Sequence, residues 1–275
     1  KDARIRLLLS LSANLKVTDW LTLQARGNLD YSADKLRQKF YASTATALCG
    51  MNGRYIEMDY QETQMYGDVM AMVKKQLNDF TLDVAIGGSI NDRITNSTRI
   101  DSKNASLKYA NVFNLANIVM SSSASIDQKI DAHYQLQSVF ATAQIGYKEG
   151  VFLDLTARND WSSTLAYTKY EKKGFFYPSV GVSFLPDKWV KMPEWVSFSK
   201  LRGAYSIVGN GVPPFITYPV SYVTAGGEIL ASDAAPFAEM KPEMTHSVEL
   251  GMEWKFLQHR LALNLTYYRT DTYEQ

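Results

Sequence analysis

VFLDLTARNDWSSTLAYTKY, residues 151 to 170, changes character at its midpoint. Val151, Leu153, Leu155 and Ala157 share one parity, and Phe152, Asp154, Thr156 and Arg158 share the other. Successive side chains of a strand point to opposite faces, so this half reads as a strand with one apolar and one charged face. Arg158 to Ser163 (RNDWSS) then mixes charge, amide, indole and hydroxyl without any period, which predicts the start of a surface loop.

The same two-residue period recurs along most of the chain. Ile5, Leu7, Leu9, Leu11, Ala13, Leu15 and Val17 alternate with Arg4, Arg6, Ser10, Ser12 and Asn14. Leu21, Leu23, Ala25, Leu29 and Tyr31 follow a turn at Thr18-Asp19. Residues 53–75 form a longer, less regular strand, and Phe80, Leu82, Val84, Ile86 and Ile90 mark the next. Val139, Ala141, Ala143, Ile145 and Tyr147 precede the opening stretch; Phe176, Val180, Val182 and Phe184 come after it. Leu201, Tyr205 and Ile207, then Met244 to Phe256 on even numbers, then Leu261 to Tyr267 on odd numbers complete about ten strands.

The connections are short and long by turns. Thr18-Asp19, 76–78, 148–150, 186–194 and 257–259 are short, whereas 33–52, 92–130, 159–174 and 209–242 are long. In an up-and-down sheet every second connection lies at the same end. One end is therefore tight and the other heavily looped, as in outer-membrane barrels with short periplasmic turns and long extracellular loops. Trp20, Trp189, Trp195 and Trp254 all lie in or beside short connections, where indoles suit a membrane–water boundary. The strands also exceed the ~5–6 residues usual in soluble sheets. The expected fold is all-β, an antiparallel up-and-down transmembrane β-barrel.

Composition excludes several alternatives. The net charge of +1 provides no field that steers nucleic acid. Cys49 is the single cysteine, so there is neither an internal disulfide nor a cysteine-based zinc site, and it reads as a small loop residue. Mean hydropathy is −0.22 and no apolar run reaches the ~18 residues of a membrane helix. His133, His246 and His259 stand apart from one another, and no G-x-S-x-G, Walker A or dinucleotide pattern occurs. The segment SINDRITNSTRIDSKN, from residue 89, lacks the spaced aspartates of a calcium loop and reads as a solvated loop. No catalytic, cofactor or metal residue is expected, and the chain does not read as an enzyme. The long loops carry aromatics, of which Tyr109, Phe113, Tyr167, Tyr170, Phe215, Tyr218 and Tyr222 are candidate contacts for a substrate or a covering partner.

Four segments in order, LTARNDWSSTL, FFYPSVGVSFL, WVSFSKLRGAYSIVGNG and MKPEMTHSVELGMEWKFLQHRLALNLTYYRTDT, resemble the C-terminal barrel of SusC/RagA-type TonB-dependent transporters of the Bacteroidetes outer membrane. The resemblance is strong over residues 151–271 and weaker over 1–150. It implies a larger barrel of about 22 strands, of which residues 1–275 form a partial barrel domain, without the plug domain and TonB box. It implies active import of oligosaccharides or peptides, a SusD-like surface lipoprotein as a lid, and coupling to TonB, ExbB and ExbD through the plug. Under it, one parity faces lipid while Asp154, Arg158, Glu249 and Glu253 face the lumen. A passive porin or adhesin-like barrel, and an outer-membrane hydrolase, are the alternatives. The resemblance also makes Trp161 a barrel-rim residue. Trp161→Ala is expected to lower barrel assembly, read by heat-modifiable gel mobility, more than it changes substrate choice in uptake competition.

Overall fold

Leu77 and Phe80 flank Asn78-Asp79, and Asn78 adopts a left-handed φ of 51°. Asn and Asp tolerate that conformation because their short side chains bond locally, so two residues suffice to reverse the chain between long strands. The structure, a computed structural model, describes residues 2–103, 107–119, 125–218, 221–223, 228–231 and 237–273.

Ten strands form one antiparallel sheet in chain order: β1 (Asp2–Lys16), β2 (Leu21–Phe40), β3 (Arg54–Leu77), β4 (Phe80–Asp101), β5 (Ser125–Tyr147), β6 (Val151–Ser162), β7 (Phe175–Phe184), β8 (Val196–Asn210), β11 (Glu243–Phe256) and β12 (Leu261–Tyr273). A separate two-stranded hairpin, β9 (Tyr222–Val223) with β10 (Ile229–Leu230), lies within the loop between β8 and β11. The sequence carries no alternation there, and this small element was not foreseen. The sheet has β1 at one edge and β12 at the other.

Register unites the apolar stripes. Leu15, Leu23, Ala71, Ile86, Ala141, Ala157 and Pro178 pair in one row from β1 to β7. Val73, Val84, Ala143, Leu155, Val180, Tyr205 and Val248 make a parallel row from β3 to β11. Every apolar parity identified in the sequence therefore falls on the same face. That face is uncovered: Leu11 is 78%, Ile5 70% and Val69 63% exposed. The buried apolar residues Cys49, Tyr55, Ile56, Leu107, Ile118, Leu165 and Phe175 all lie in or next to the long loops. The sheet thus has no interior of its own among the described residues, and its apolar face is stable only against hydrocarbon.

Aromatic rings edge this band. At the short-turn end Tyr147 packs between Phe80 (4.7 Å) and Trp189 (5.6 Å), and Phe256 stacks on Trp195 (5.6 Å). Toward the loop end the same face carries Trp161, Phe176 and Tyr205, whose hydroxyl meets His246 Nδ1 at 2.8 Å. The stretches between the rims, such as Val139–Tyr147 and Val151–Trp161, match the about 9–11 residues that cross a bilayer when tilted.

Strands run further than the sequence indicated. RNDWSS was expected to open a loop, yet β6 continues to Ser162, with Trp161 opposite Gln137. Similarly β2 extends to Phe40 and β4 to Asp101, so most of SINDRITNSTRIDSKN is strand rather than solvated loop, and the connections shrink to 41–53, 102–124, 163–174 and 211–242. Above the apolar band both faces meet water. Pairing continues there while the hydrophobic period that reveals a strand fades. Leu155→Arg, in the middle of the apolar face, is expected to lower unfolding free energy by about 2–4 kcal/mol. Thr156→Arg, one residue on and on the other face, is expected to change it far less in urea unfolding from detergent micelles.

Candidate functional site: a charge-paired wall and an aromatic loop rim

The face opposite the apolar rows carries charge at nearly every level, and neighbouring strands neutralise it. Arg6 bonds Asp30 at 2.6 Å, Arg26 bonds the side chain of Asp68 at 3.0 Å, and Arg93 bonds Glu62 at 2.7 Å. The four residues assigned to this face from sequence all lie on it. Asp154 accepts from Gln144 (2.7 Å), and Arg158 donates to Asp160 (2.7 Å) and Ser138 (2.8 Å). Glu249 pairs with Arg202 at 3.1 Å, and Glu253 with Lys255 at 3.2 Å. Cross-strand positions directly opposite or diagonal come within reach of long side chains, so Arg6, Arg26, Arg93 and Arg202 find carboxylates on the neighbouring strand, whereas Arg158 and Lys255 pair two residues along their own strand and Asp154 meets an amide.

At the loop end, connections 41–53 and 102–119 fold onto each other around Tyr55, Leu107 and Ile118. Asparagines act as surrogate backbone. The Asn117 side-chain amide donates to the carbonyls of Tyr109 (2.8 Å) and Val112 (2.6 Å), while its oxygen accepts from Tyr109 N–H (2.9 Å). Asn111 Oδ1 accepts from Ala42 N–H at 2.8 Å, and Asn52 donates to the Leu107 carbonyl at 2.7 Å. Gly53 sits at φ 99°, with the space for a Cβ already taken by the Phe40 carbonyl.

Below this unit Asp101, with a 1% exposed side chain, receives Arg54 through two bonds (2.8 and 2.7 Å), Arg99 (2.8 Å) and the Lys103 N–H (2.8 Å). Burial pulls its pKa upward, but the Arg54 bonds, the Lys103 amide and the two guanidinium charges outweigh it and hold the carboxyl below its ordinary value. Cys49 is buried, with Sγ against the carbonyls of Tyr41 and Thr44, in keeping with a packing role.

The second loop pair is 163–174 with the described parts of 211–242. Ser162 caps a single 3-10 turn, Ser163–Leu165, whose Leu165 is buried. Thr217 Oγ1 donates to the Thr164 carbonyl at 3.3 Å, Lys169 N–H bonds the Ala238 carbonyl at 3.0 Å, and Lys169 also pairs with Glu239. Tyr167 and Tyr218 stack at 4.6 Å with a 28° interplanar angle, and both remain more than half exposed.

The structure thus brings together only some of the loop aromatics singled out in the sequence. Tyr167 and Tyr218 form the exposed pair. Tyr170 packs edge-on to Phe175 under Lys173, and Phe113 is half-buried between Tyr41 and Tyr55 beneath Lys39. Tyr109 is 72% and Phe215 42% exposed. The side chain of Tyr222 lies outside the described residues. Asn111, Asn117 and Asp101, which organise the loops, were missed. The asparagine-rich run YANVFNLANI was the available signal, since asparagine side chains bond nearby backbone and cap turns. Trp161 faces the apolar side, its ring next to the backbone of Gly174.

A family model described as "TonB dependent receptor-like, beta-barrel" matches residues 1–274. The chain belongs to this family. Its members are transporters of the Gram-negative outer membrane rather than enzymes. Among solved structures, the RagAB peptide transporter superposes with a TM-score of 0.82 at 18% identity, over 98% of this chain and 30% of that one. The ferric-catecholate import receptor Fiu from E. coli K12 gives 0.57 at 12% identity, over 98% and 41%. The siderophore receptor PiuA from Acinetobacter baumannii gives 0.58 at 12%, over 97% and 40%. At these identities the likeness speaks for the fold alone, and the chain spans under a third of the RagAB chain. No curated protein matches it significantly in sequence.

Asp101→Ala takes the shared carboxylate from two partly exposed guanidinium groups and is expected to destabilise the loop unit by about 1–3 kcal/mol, read as faster cleavage of 102–119 in limited proteolysis. Because folding lowers the Asp101 pKa, its contribution is complete above the ordinary carboxylate value of about 4 and is lost as pH falls through the lowered one. Cleavage in wild-type protein is therefore expected to accelerate only in that acid range, and the variant to lack this acid step.

Proposed function

We propose that this chain is part of the barrel of an active importer in the outer membrane of a Bacteroidetes-like bacterium. It takes up large nutrients, oligosaccharides or peptides, with a SusD-like lipoprotein covering the loop end. TonB, ExbB and ExbD supply the energy through a plug that belongs to the remainder of the full polypeptide. The observation that carries the reading is the two-faced single-layer sheet, apolar on one side and charge-paired on the other. Family membership and the RagAB likeness in fold support it.

In this reading Asp154, Arg158, Glu249 and Glu253 form part of the wall that lumen and plug meet. Tyr109, Tyr167, Phe215 and Tyr218 contact substrate or lid, with Phe113 and Tyr170 holding the rim behind them. Tyr222 belongs to the same loop as Tyr218 and joins this set. Aromatic faces suit both the apolar faces of sugar rings and peptide side chains. No residue here performs bond chemistry; binding and release are the whole task of this segment.

Deleting TonB from the native host is expected to abolish uptake of the nutrient that this protein imports, measured with a labelled oligosaccharide and peptide panel. Uptake that persists without TonB would identify a passive pore. Removing both rings of the exposed pair, in a Tyr167→Ala, Tyr218→Ala double variant, is expected to raise half-saturation about tenfold, the equivalent of about 1.4 kcal/mol, with assembly unchanged.

A further inference from the structure

Beyond the lipid-facing band, β5 changes which side chains it shows to the outside. Pairing of β4 with β5 steps from Thr95–Ala132 to Asn96–Ile130, so Asp131 has no residue opposite it. One extra residue reverses the parity of everything that follows. Val139, Gln137, Gln135 and His133 share the outer face, and unbroken alternation would carry Asp131, Lys129 and Asp127 there too. The bulge turns that ion triad, in which Lys129 meets both carboxylates at 3.5 Å, to the inner face and presents Ile130 and Gln128 outward instead.

Two register rows then lie side by side on the outer face, Gln61–Asn96–Ile130 and Asp59–Thr98–Gln128. They line a cavity of about 570 Å³, within the range of about 300–1,000 Å³ typical of small-ligand sites. No hydrogen bond within the described chain occupies the side chains of Gln61, Asn96, Thr98 or Gln128. Three carboxamides, a hydroxyl and a carboxylate therefore surround one isoleucine with donors and acceptors to spare. Vicinal sugar hydroxyls donate and accept together, which amides and carboxylates match, and the C–H face of a sugar ring suits Ile130. The cations at the edge are already answered, Lys35 by Asp59 (3.3 Å) and Glu57 (3.7 Å), and Lys129 by its two aspartates. The lining thus favours a neutral ligand over an anionic one.

Height separates this cavity from the bilayer. Ile90 is level with Gln137 and Trp161 at the rim. Asn96 and Thr98 lie roughly 20–26 Å further along β4, at ~3.3 Å per residue. We propose that the cavity binds a short neutral oligosaccharide on the outer wall, off the path through the lumen. This rests on register and height and not on which nutrient is imported, so it stands or falls separately from the import reading.

The test is ligand-observed NMR and calorimetry on the full-length complex in a sugar-free detergent. The probes are maltotriose, xylotriose, mannotriose and triacetylchitotriose, with trigalacturonate as the acidic control. Wild type is expected to bind at least one neutral probe and not trigalacturonate. A Gln61→Ala, Asn96→Ala double variant is expected to weaken that binding about tenfold or more through the lost amide hydrogen bonds. Should it fail to assemble, Gln128→Ala, whose side chain is exposed, serves in its place. The Tyr167→Ala, Tyr218→Ala double variant, altered at the loop rim, is expected to bind as wild type does. Displacement of the probe by polysaccharide extracted from the host envelope assigns the natural ligand to the cell's own surface, and failure to displace assigns it to nutrient glycans. Binding of no neutral probe, equal binding of trigalacturonate, or unchanged affinity in the cavity variants would overturn the proposal.

Discussion

Everything in this structure depends on the requirement that backbone N–H and C=O groups be paired where no water can reach them. In hydrocarbon an unpaired peptide group costs several kcal/mol, so the strands that cross must be joined edge to edge in register. The eight inner strands meet this on both edges by pairing in chain order, and β1 and β12 meet it on one edge each. A single layer then needs no second sheet to cover its apolar face, because lipid does so. That the described residues show no packed core under the sheet, which would condemn a soluble domain, follows directly from the solvent.

That exchange moves folding energetics to places where soluble proteins rarely put them. Burial is concentrated in the loops, around Tyr55, Leu107 and Ile118 on one side and Leu165 on the other. Asn52, Asn111 and Asn117 supply the backbone partners that irregular segments lack, and Asp101 anchors the base of the first loop unit through two arginines. The loops are small folded bodies set on the end of a sheet. Substitutions there act through packing and buried polar groups, whereas substitutions in the sheet act through the face they occupy.

The strand faces were legible because the membrane imposes an unambiguous period of two. The parity of Leu153, Leu155 and Ala157 correctly predicted every pairing partner's face from β5 to β8. Strand ends were not legible for the same reason. Beyond the lipid, Asp92, Asn96 and Thr98 on one face of β4 alternate with Arg93, Ser97 and Arg99 on the other, and polarity no longer distinguishes them. The loop aromatics were visible as a set but not in their partition, because Phe113 and Tyr218 look alike in sequence. Only their neighbours decide that one supports a core and the other stands exposed.

The charge-paired face has a consequence for motion. Since Arg6, Arg26, Arg93 and Arg202 meet a carboxylate on the neighbouring strand, and Arg158 and Lys255 one on their own strand, this face presents closely spaced dipoles whose fields cancel beyond a few ångströms. Under the import function proposed above, a solute on that path exchanges one weak, short-range partner for the next of similar strength and meets no deep electrostatic well in which to stall. On that proposed path, such a face keeps a polar cargo solvated and lets friction, rather than affinity, set the pace of passage.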